Sequence, residues 1–288
     1  MNATDMNESQ SGAGSIGEIL VAQGRMKPEQ ARAVMEEQRR SGQRFGDTAL
    51  RLGFIKADDI RHALAAQFRY PFLDAKGSKV SKEVIAAYDP FTPAVEQLRG
   101  IRAEVVLRSL NSERTEKAIA IVSSSRGDGR SFLAANLGVV FAQLGERTLV
   151  VDADMRNPRQ HSLFGLENRE GLSTVLSARS QLAASIQRVP GLNLSVLPAG
   201  PTPPNPQELL LGQAMLPLLA DVGRDFDIVL IDTPASDTSD AHALAARVGA
   251  ALLVVRRNRT LIAPTHRLKE RLEQSGCLMI GAVMNSSV

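Results

Sequence analysis

The sequence predicts an α/β protein: a mostly parallel sheet built around a phosphate-binding loop, preceded by a small all-helical domain that is internally duplicated. Three observations carry this. Apolar, strand-like runs alternate with amphipathic helical patterns from residue 118 onward. A glycine-bearing loop joins the first of those strands to a helix. Near the N-terminus a pattern recurs, with Gly17 and Gly46, Gly24 and Gly53, and Gln38 and Gln67 each 29 residues apart.

Composition narrows the classes. At 288 residues the chain has room for one large domain and one small one. Apolar residues make up 43% and aromatics 4%, with no Trp, so its cores are aliphatic. Basic residues (34) nearly cancel acidic ones (31), leaving +3, and nothing in that balance calls for nucleic acid. The single cysteine, Cys277, excludes internal disulfides and multi-cysteine metal sites. No apolar run reaches the ~18 residues of a membrane span. Met1–Gly14 is polar and has no apolar stretch of the signal-peptide kind, so it is expected to be a disordered tail on a cytoplasmic protein.

Taken in order, residues 15–75 hold the repeat. Each copy reads as a short helix ending at glycine (Gly24, Gly53) followed by a longer helix. The second helix has Pro28 at its start and an Ala31/Val34/Met35 stripe in copy one, and Ile60/Ala63/Leu64 in copy two. Phe68 to Leu73 follows as an extended aromatic lid. Residues 76–93 read as a linker with a short helix over Lys82–Tyr88. The main domain is expected over 94–288. It opens with a helix whose apolar stripe is Val95, Leu98, Ile101 and Val105. Glu96, Arg99 and Arg102 recur at three-residue spacing beside that stripe, and alone they read as a solvated face.

The organising stretch is 119–154. Strand Ala118–Val122 turns through Ser123 to Ser131 into a helix stopped by Gly145, and a second strand ends at Asp152-Ala153-Asp154. Glycines at 127 and 129 let backbone approach a phosphate, and the helix start adds free N–H groups and a positive dipole end. Against the pattern GxxxxGK[ST], Ser124 replaces the first glycine and Arg130 the lysine. The nucleotide-binding residues are then Arg126, Gly127, Asp128, Gly129, Arg130, Ser131 and Phe132, with Ser131 as the hydroxyl for Mg²⁺. Further on come a strand at 192–197, a proline-rich turn at 198–206, one helix over 207–222 and a strand at 227–231 ending in Asp232-Thr233-Pro234. A helix at 240–247, a strand at 250–255, a helix at 265–274 and a strand at 278–284 complete the pattern. Ligands in such sheets sit at the carboxyl ends of strands, which is where the loop, Asp152 and Asp232 fall. Ser131, Asp152 and Asp232 are the candidate metal ligands. Asp152 is placed to take a hydroxyl or water proton, with Asp154 and Arg130 assisting. Asn285 closes the last strand, where resemblance to related phosphate-loop ATPases implies an adenine contact and the residue alone reads equally as a turn.

The two tandem copies resemble the N-terminal domain of type II secretion and pilus assembly ATPases, in which the motif binds cyclic di-GMP. The resemblance implies contacts from Gly17, Gly24, Gln38, Arg44, Gly46, Gly53 and Gln67; Ser15 stands where that family has arginine. Read from the residues alone, a helical repeat is equally a docking surface. Residues 95–285 resemble the bacterial tyrosine kinases of exopolysaccharide export. Those are relatives of the division-site and partition ATPases with deviant Walker motifs (MinD/ParA-like). The matching pieces are Gly127–Ser131, Asp152–Pro158, Gly171-Leu172-Ser173, Pro203–Pro206 and Ile231–Pro234. Among them the sequence is most similar to the chain-length determinant subgroup. That implies ATP and Mg²⁺ as cofactors, and ring self-assembly through Glu96, Arg99 and Arg102. It also implies a cytoplasmic location beside a membrane polysaccharide co-polymerase. The chain closes on Ala282 to Val288 without a tyrosine cluster, so Tyr70 and Tyr88 are its two tyrosines. Three activities follow as expectations: a tyrosine kinase, a nucleotide switch that paces chain length, and a positioning ATPase.

Overall fold

The computed structural model describes residues 15–67, 70–74, 77–110, 117–235 and 240–286. The expected N-terminal tail, Phe68 and Arg69 of the aromatic lid, and Lys76 of the linker lie outside these. The chain divides into two compact units, Met1–Pro71 and Phe72–Val288.

The smaller unit is four helices: α1 (Ile16–Ala22), α2 (Pro28–Ser41), α3 (Phe45–Arg51) and α4 (Ala57–Gln67). Every bound of α3 lies 29 residues after that of α1, and α4 starts 29 after α2. Ser15 and Glu18 form a reciprocal capping box at the start of α1. Lys27 N–H bonds Gln30 Oε1 at 2.9 Å, and its counterpart Lys56 N–H bonds Asp59 Oδ2 at 2.8 Å. Gly24 and Gly53 close the first helix of each copy with φ of 66° and 68°, the left-handed region that a β-carbon disfavours. The core is assembled from equivalent pairs, Leu20 with Ala49, Met26 with Ile55 and Val34 with Ala63. α1 packs on α4 and α2 on α3, so each copy covers the other.

The larger unit begins with α5 (Ile85–Tyr88) and α6 (Pro93–Leu110). Next come β1 (Ala118–Val122), α7 (Arg130–Ala142), β2 (Thr148–Asp152), α8 (Gln160–Phe164), α9 (Leu172–Leu176) and α10 (Leu182–Ser185). After these come β3 (Gln187–Arg188), β4 (Leu194–Leu197), α11 (Pro206–Leu211), α12 (Met215–Asp225), β5 (Ile228–Asp232), α13 (Asp240–Val248), β6 (Ala250–Arg256), α14 (Ile262–Gln274) and β7 (Leu278–Asn285). The seven strands run in the order β3-β4-β2-β5-β1-β6-β7, all parallel except the two-residue edge β3. Alternate residues feed two cores. Ile119, Ile121, Val150 and Leu230 face one layer; Ala120, Val122, Val151 and Ile231 face the other.

Two sequence expectations change. The single helix over 207–222 is two, α11 and α12. Pro217 has no N–H for a helix interior, and the helix restarts at Met215 so that Pro217 falls in its first turn. The stretch expected to be a linker belongs to the core of the larger unit. α7 is apolar on nearly all sides, and its outer face is covered by this segment, in which Val84, Ala86 and Ala87 are fully buried. Two amides, Asn136 in α7 and Gln143 at its C-cap, grip one residue of it. Ala86 N–H bonds Asn136 Oδ1 at 3.0 Å, and Gln143 Nε2 donates to Ala86 O at 2.8 Å. The helix there is confined to Ile85–Tyr88.

Candidate functional site

Strands β1, β2 and β5 end side by side, and their register sets Asp152 directly opposite Asp232. The loop from Ser123 to Gly129 rises from β1 and turns into α7. Gly127 and Gly129 have φ of 80° and 107°, and a β-carbon on Gly129 would lie 2.1 Å from Asn285 Nδ2. Buried Asp128 ties the loop from within: its carboxylate accepts Ser125 N–H at 3.2 Å and the Thr260 hydroxyl at 2.7 Å. Asn285 Nδ2 donates to Asp128 O at 3.1 Å, so the end of β7 holds the loop as well.

Above the loop lies a cavity of about 450 Å³ whose wall carries four arginines: Arg126, Arg130, Arg159 and Arg256. Such a cluster suits a polyphosphate. Of the residues expected at the nucleotide, Gly127, Gly129, Ser131, Phe132 and Asn285 also line it; Asp154 and Glu83, the latter paired with Arg159 at 2.8 Å, are the carboxylates at its wall, and buried Asp232 does not line it. Asp128 does not face it. Arg130 is 7% exposed. Its Nε donates to Thr233 O at 2.9 Å and its Nη1 to Ser125 O at 2.9 Å and to the Ser123 hydroxyl, while Nη2 lies 3.9 Å from Asp154 Oδ2. The arginine in the lysine position thus laces the loop to the end of β5.

The three aspartates are held differently. Asp152, fully buried, was expected to face the transferred phosphate. Its carboxylate instead accepts backbone N–H groups, from Asp154 at 3.2 Å and from Arg159 and Gln160 at 2.8 Å each, and it does not line the cavity. Burial, then the charge of Asp232, pushes its pKa well above the ordinary carboxylate value. Burial also raises Asp154, against the pull of the Asn157 N–H and Arg130. Asp232 is raised by burial and held down by hydrogen bonds from Gln160 and the Ser131 hydroxyl. Gln160 Nε2 reaches Asp232 Oδ2 at 2.8 Å and Ser131 O at 3.1 Å. Asp232 Oδ1 is buried and has no hydrogen-bond partner among the described residues. A carboxylate oxygen left bare beside a serine hydroxyl fits a divalent cation. Among the described residues no group of three His, Cys, Asp or Glu side chains forms a metal cage; Mg²⁺ needs only one or two carboxylates when phosphates complete its shell.

Sequence reasoning missed Arg159, Arg256 and Gln160. Arg159 and Gln160 follow the Asp152-to-Pro158 stretch without any pattern of their own, and Arg256 sits at the end of β6, which only the strand order brings beside the loop.

On α6, Arg99 bonds Glu96 and the Pro90 carbonyl (2.6 Å) and lies over the Phe91 ring, 5.9 Å from its centre; Arg102 bonds Val140 O at 2.8 Å. Glu96 remains 58% exposed. Tyr88 donates its hydroxyl to Val80 O and lies 3.0 Å from the Ser78 hydroxyl. In the smaller unit a cavity of about 930 Å³ is lined by Gly17, Gln38 and Gln67, with Arg32, Met35 and Phe45. Arg44, Gly24, Gly46 and Gly53 do not line it. Gly24 and Gly53 close turns at positive φ, and a β-carbon on Gly46 would come 3.1 Å from Ile60 Cδ1, so backbone conformation explains the first two glycines and packing the third.

Comparison with known proteins agrees with the fold. Residues 117–287 match the family model of the cellulose biosynthesis protein BcsQ. The tyrosine-protein kinase YwqD of Bacillus subtilis is 37% identical over 73% of this chain and 88% of its own length. Among solved structures, the chimerical protein CapA2B2 superposes with a TM-score of 0.67 at 34% identity, over 78% of this chain and 97% of that one. The kinase domain of the Escherichia coli tyrosine kinase ETK gives 0.66 at 32%, over 71% and 82%.

Proposed function

Since the chain belongs to the family of the bacterial tyrosine-protein kinases and the cellulose biosynthesis protein BcsQ, we propose that it binds Mg-ATP and moves the γ-phosphate to a tyrosine in the service of exopolysaccharide production. The observation that carries this is the four-arginine cavity at the glycine loop, whose lining residue Ser131 is joined through Gln160 to buried Asp232 with its bare oxygen, at the carboxyl ends of a parallel sheet.

The roles follow from where each group sits. The loop glycines and the start of α7 cradle the phosphates, and Arg126, Arg159 and Arg256 answer their charge. Ser131 and, through water, Asp232 would hold Mg²⁺, which when bound would offset charge on the phosphate oxygens. Asp154 faces the cavity, and its raised pKa suits a group that takes the proton of an incoming hydroxyl. Asp152 fixes the turn 154–160 that carries Asp154 and Arg159. Arg130 keeps the loop against β5. With the Tyr88 hydroxyl already bonded inside the subunit, we assign the acceptor to a partner rather than to Tyr88, and exposed Glu96 to contact between subunits. The membrane polysaccharide co-polymerase is the partner we propose.

A nucleotide switch without a tyrosine acceptor is the second reading, favoured by that same engagement of Tyr88. Incubation with γ-labelled ATP and Mg²⁺ separates the two. Phosphotyrosine on the protein or on an added co-polymerase segment establishes the kinase; free phosphate alone establishes the switch. Asp232→Ala is expected to abolish turnover, and unchanged turnover would sink the site assignment.

For the smaller unit we propose cyclic di-GMP in the 930 Å³ cavity, through Gln38 and Gln67. Calorimetric titration tests it: binding lost in Gln38→Ala with Gln67→Ala supports the pocket, and no heat with the unmutated protein leaves the docking role.

A further inference from the structure

Resting on the reading of the larger site as a Mg-nucleotide centre, we infer that Gln160 is a positioning residue for the divalent cation. Its Oε1, with Asp232 Oδ1, receives hydrogen bonds from the hydration shell of the ion.

Gln160 is 0% exposed, and its amide orientation is settled by its neighbours. Both groups within reach of Nε2, the Ser131 carbonyl at 3.1 Å and Asp232 Oδ2 at 2.8 Å, are acceptors only, so the NH₂ must face them. Oε1 is thereby turned the other way, into a place where the described residues offer it no donor. Among the described residues the buried side-chain polar atoms without a partner are Gln160 Oε1, Asp232 Oδ1 and His161 Nδ1. Two of the three thus belong to the pair of groups joined by the 2.8 Å bond. Buried acceptors are rarely left unpaired, and two together mark a site completed by something outside the chain. Both are acceptors, so what completes them must bring donors or positive charge. The hydration shell of a divalent cation brings both.

Gln160 also touches three of the site's groups at once. Its backbone N–H holds Asp152, its side chain holds the Ser131 carbonyl, and the same amide orients Asp232. A residue so placed sets the geometry of the ion's ligands rather than binding the phosphates.

The test titrates Mg²⁺ against binding of a fluorescent ADP analogue to the full chain, compared with binding in EDTA. In the unmutated protein Mg²⁺ should tighten binding; if it does not, the Mg-nucleotide reading itself fails. Gln160→Met keeps the length and removes the amide. It should leave affinity in EDTA within twofold of the unmutated protein and raise the Mg²⁺ midpoint by ~10- to 100-fold, the usual effect of losing an outer-shell partner. Gln160→Asn, which withdraws the acceptor by one methylene, should fall between, and serves if the methionine variant does not fold. A midpoint within twofold of the unmutated protein, or an equal loss in EDTA, would overturn the role.

Discussion

Arg130→Lys restores the residue usual at its position and, on this structure, should weaken the protein. The guanidinium reaches three groups at once: the Thr233 and Ser125 carbonyls at 2.9 Å each, and the Ser123 hydroxyl. An ammonium is a single point on a shorter reach and can meet one carbonyl while abandoning the other. Each charge-assisted bond contributes ~1.5–3 kcal/mol. With one carbonyl bond lost outright and the hydroxyl contact weakened, the expected destabilisation is about 2–3 kcal/mol. For a unit of this size that lowers the melting temperature by roughly 5–10 °C. Arg130→Met, which leaves Asp154 and both carbonyls without the cation, should cost more, about 3–5 kcal/mol. The assay is calorimetry without nucleotide, with urea unfolding as a check that the denaturant slope is unchanged. A lysine variant melting within 2 °C of the unmutated protein would refute the view of Arg130 as a tie between the loop and β5.

Three further outcomes are expected. Asn136→Ala strands the Ala86 N–H and the Glu83 carbonyl, both bonded at 3.0 Å, and should cost ~2–4 kcal/mol in urea unfolding; a loss below ~1 would mean that the 77–93 segment is not part of the cooperative unit. Gly171→Ala would put a β-carbon 2.2 Å from Pro198 O and 2.5 Å from Gly200 N, backbone that cannot swing aside, and should destabilise by ~3 kcal/mol or more, read as a lowered melting temperature. Hydrogen bonds from the Arg147 side chain and N–H hold Asp227 at a pKa of about 2. A depressed carboxyl stabilises above its unfolded value of ~3.9, and that stabilisation fades as pH falls toward the folded value. Asp227→Asn should therefore lose less than ~1 kcal/mol at neutral pH, this being an exposed and salt-screened pair. Its deficit should close between pH ~4 and ~2 in pH-dependent unfolding.

Much of the sheet was legible because parallel strands buried on both faces read as continuous apolar runs, as in Ile228 to Ile231. The loop was legible because its glycines and Ser131 keep fixed spacing. The 77–93 segment was not. It is held by short side chains and by two amides whose sequence positions, 136 and 143, lie on a helix otherwise read as apolar. Asp152 could be placed beside Asp232 from the sequence, but not its orientation. The donors that capture its carboxylate are main-chain groups of residues 154, 159 and 160, and a main-chain donor leaves no mark in residue type. The same holds for Gln160, whose side chain matters for what it faces.

The reciprocal packing of the small unit bears on its ancestry. Helix α1 rests on α4 and α2 on α3, and the paired core positions stand in for one another. One copy alone would expose the face that its twin covers, and that face is self-complementary. A free copy should therefore associate with a second one about a two-fold axis. Joining two copies through the short connection Gly42–Arg44 would have made that encounter intramolecular, at millimolar effective concentration or higher. The two halves were then free to diverge, and Ser15 opposite Arg44 is one place where they have.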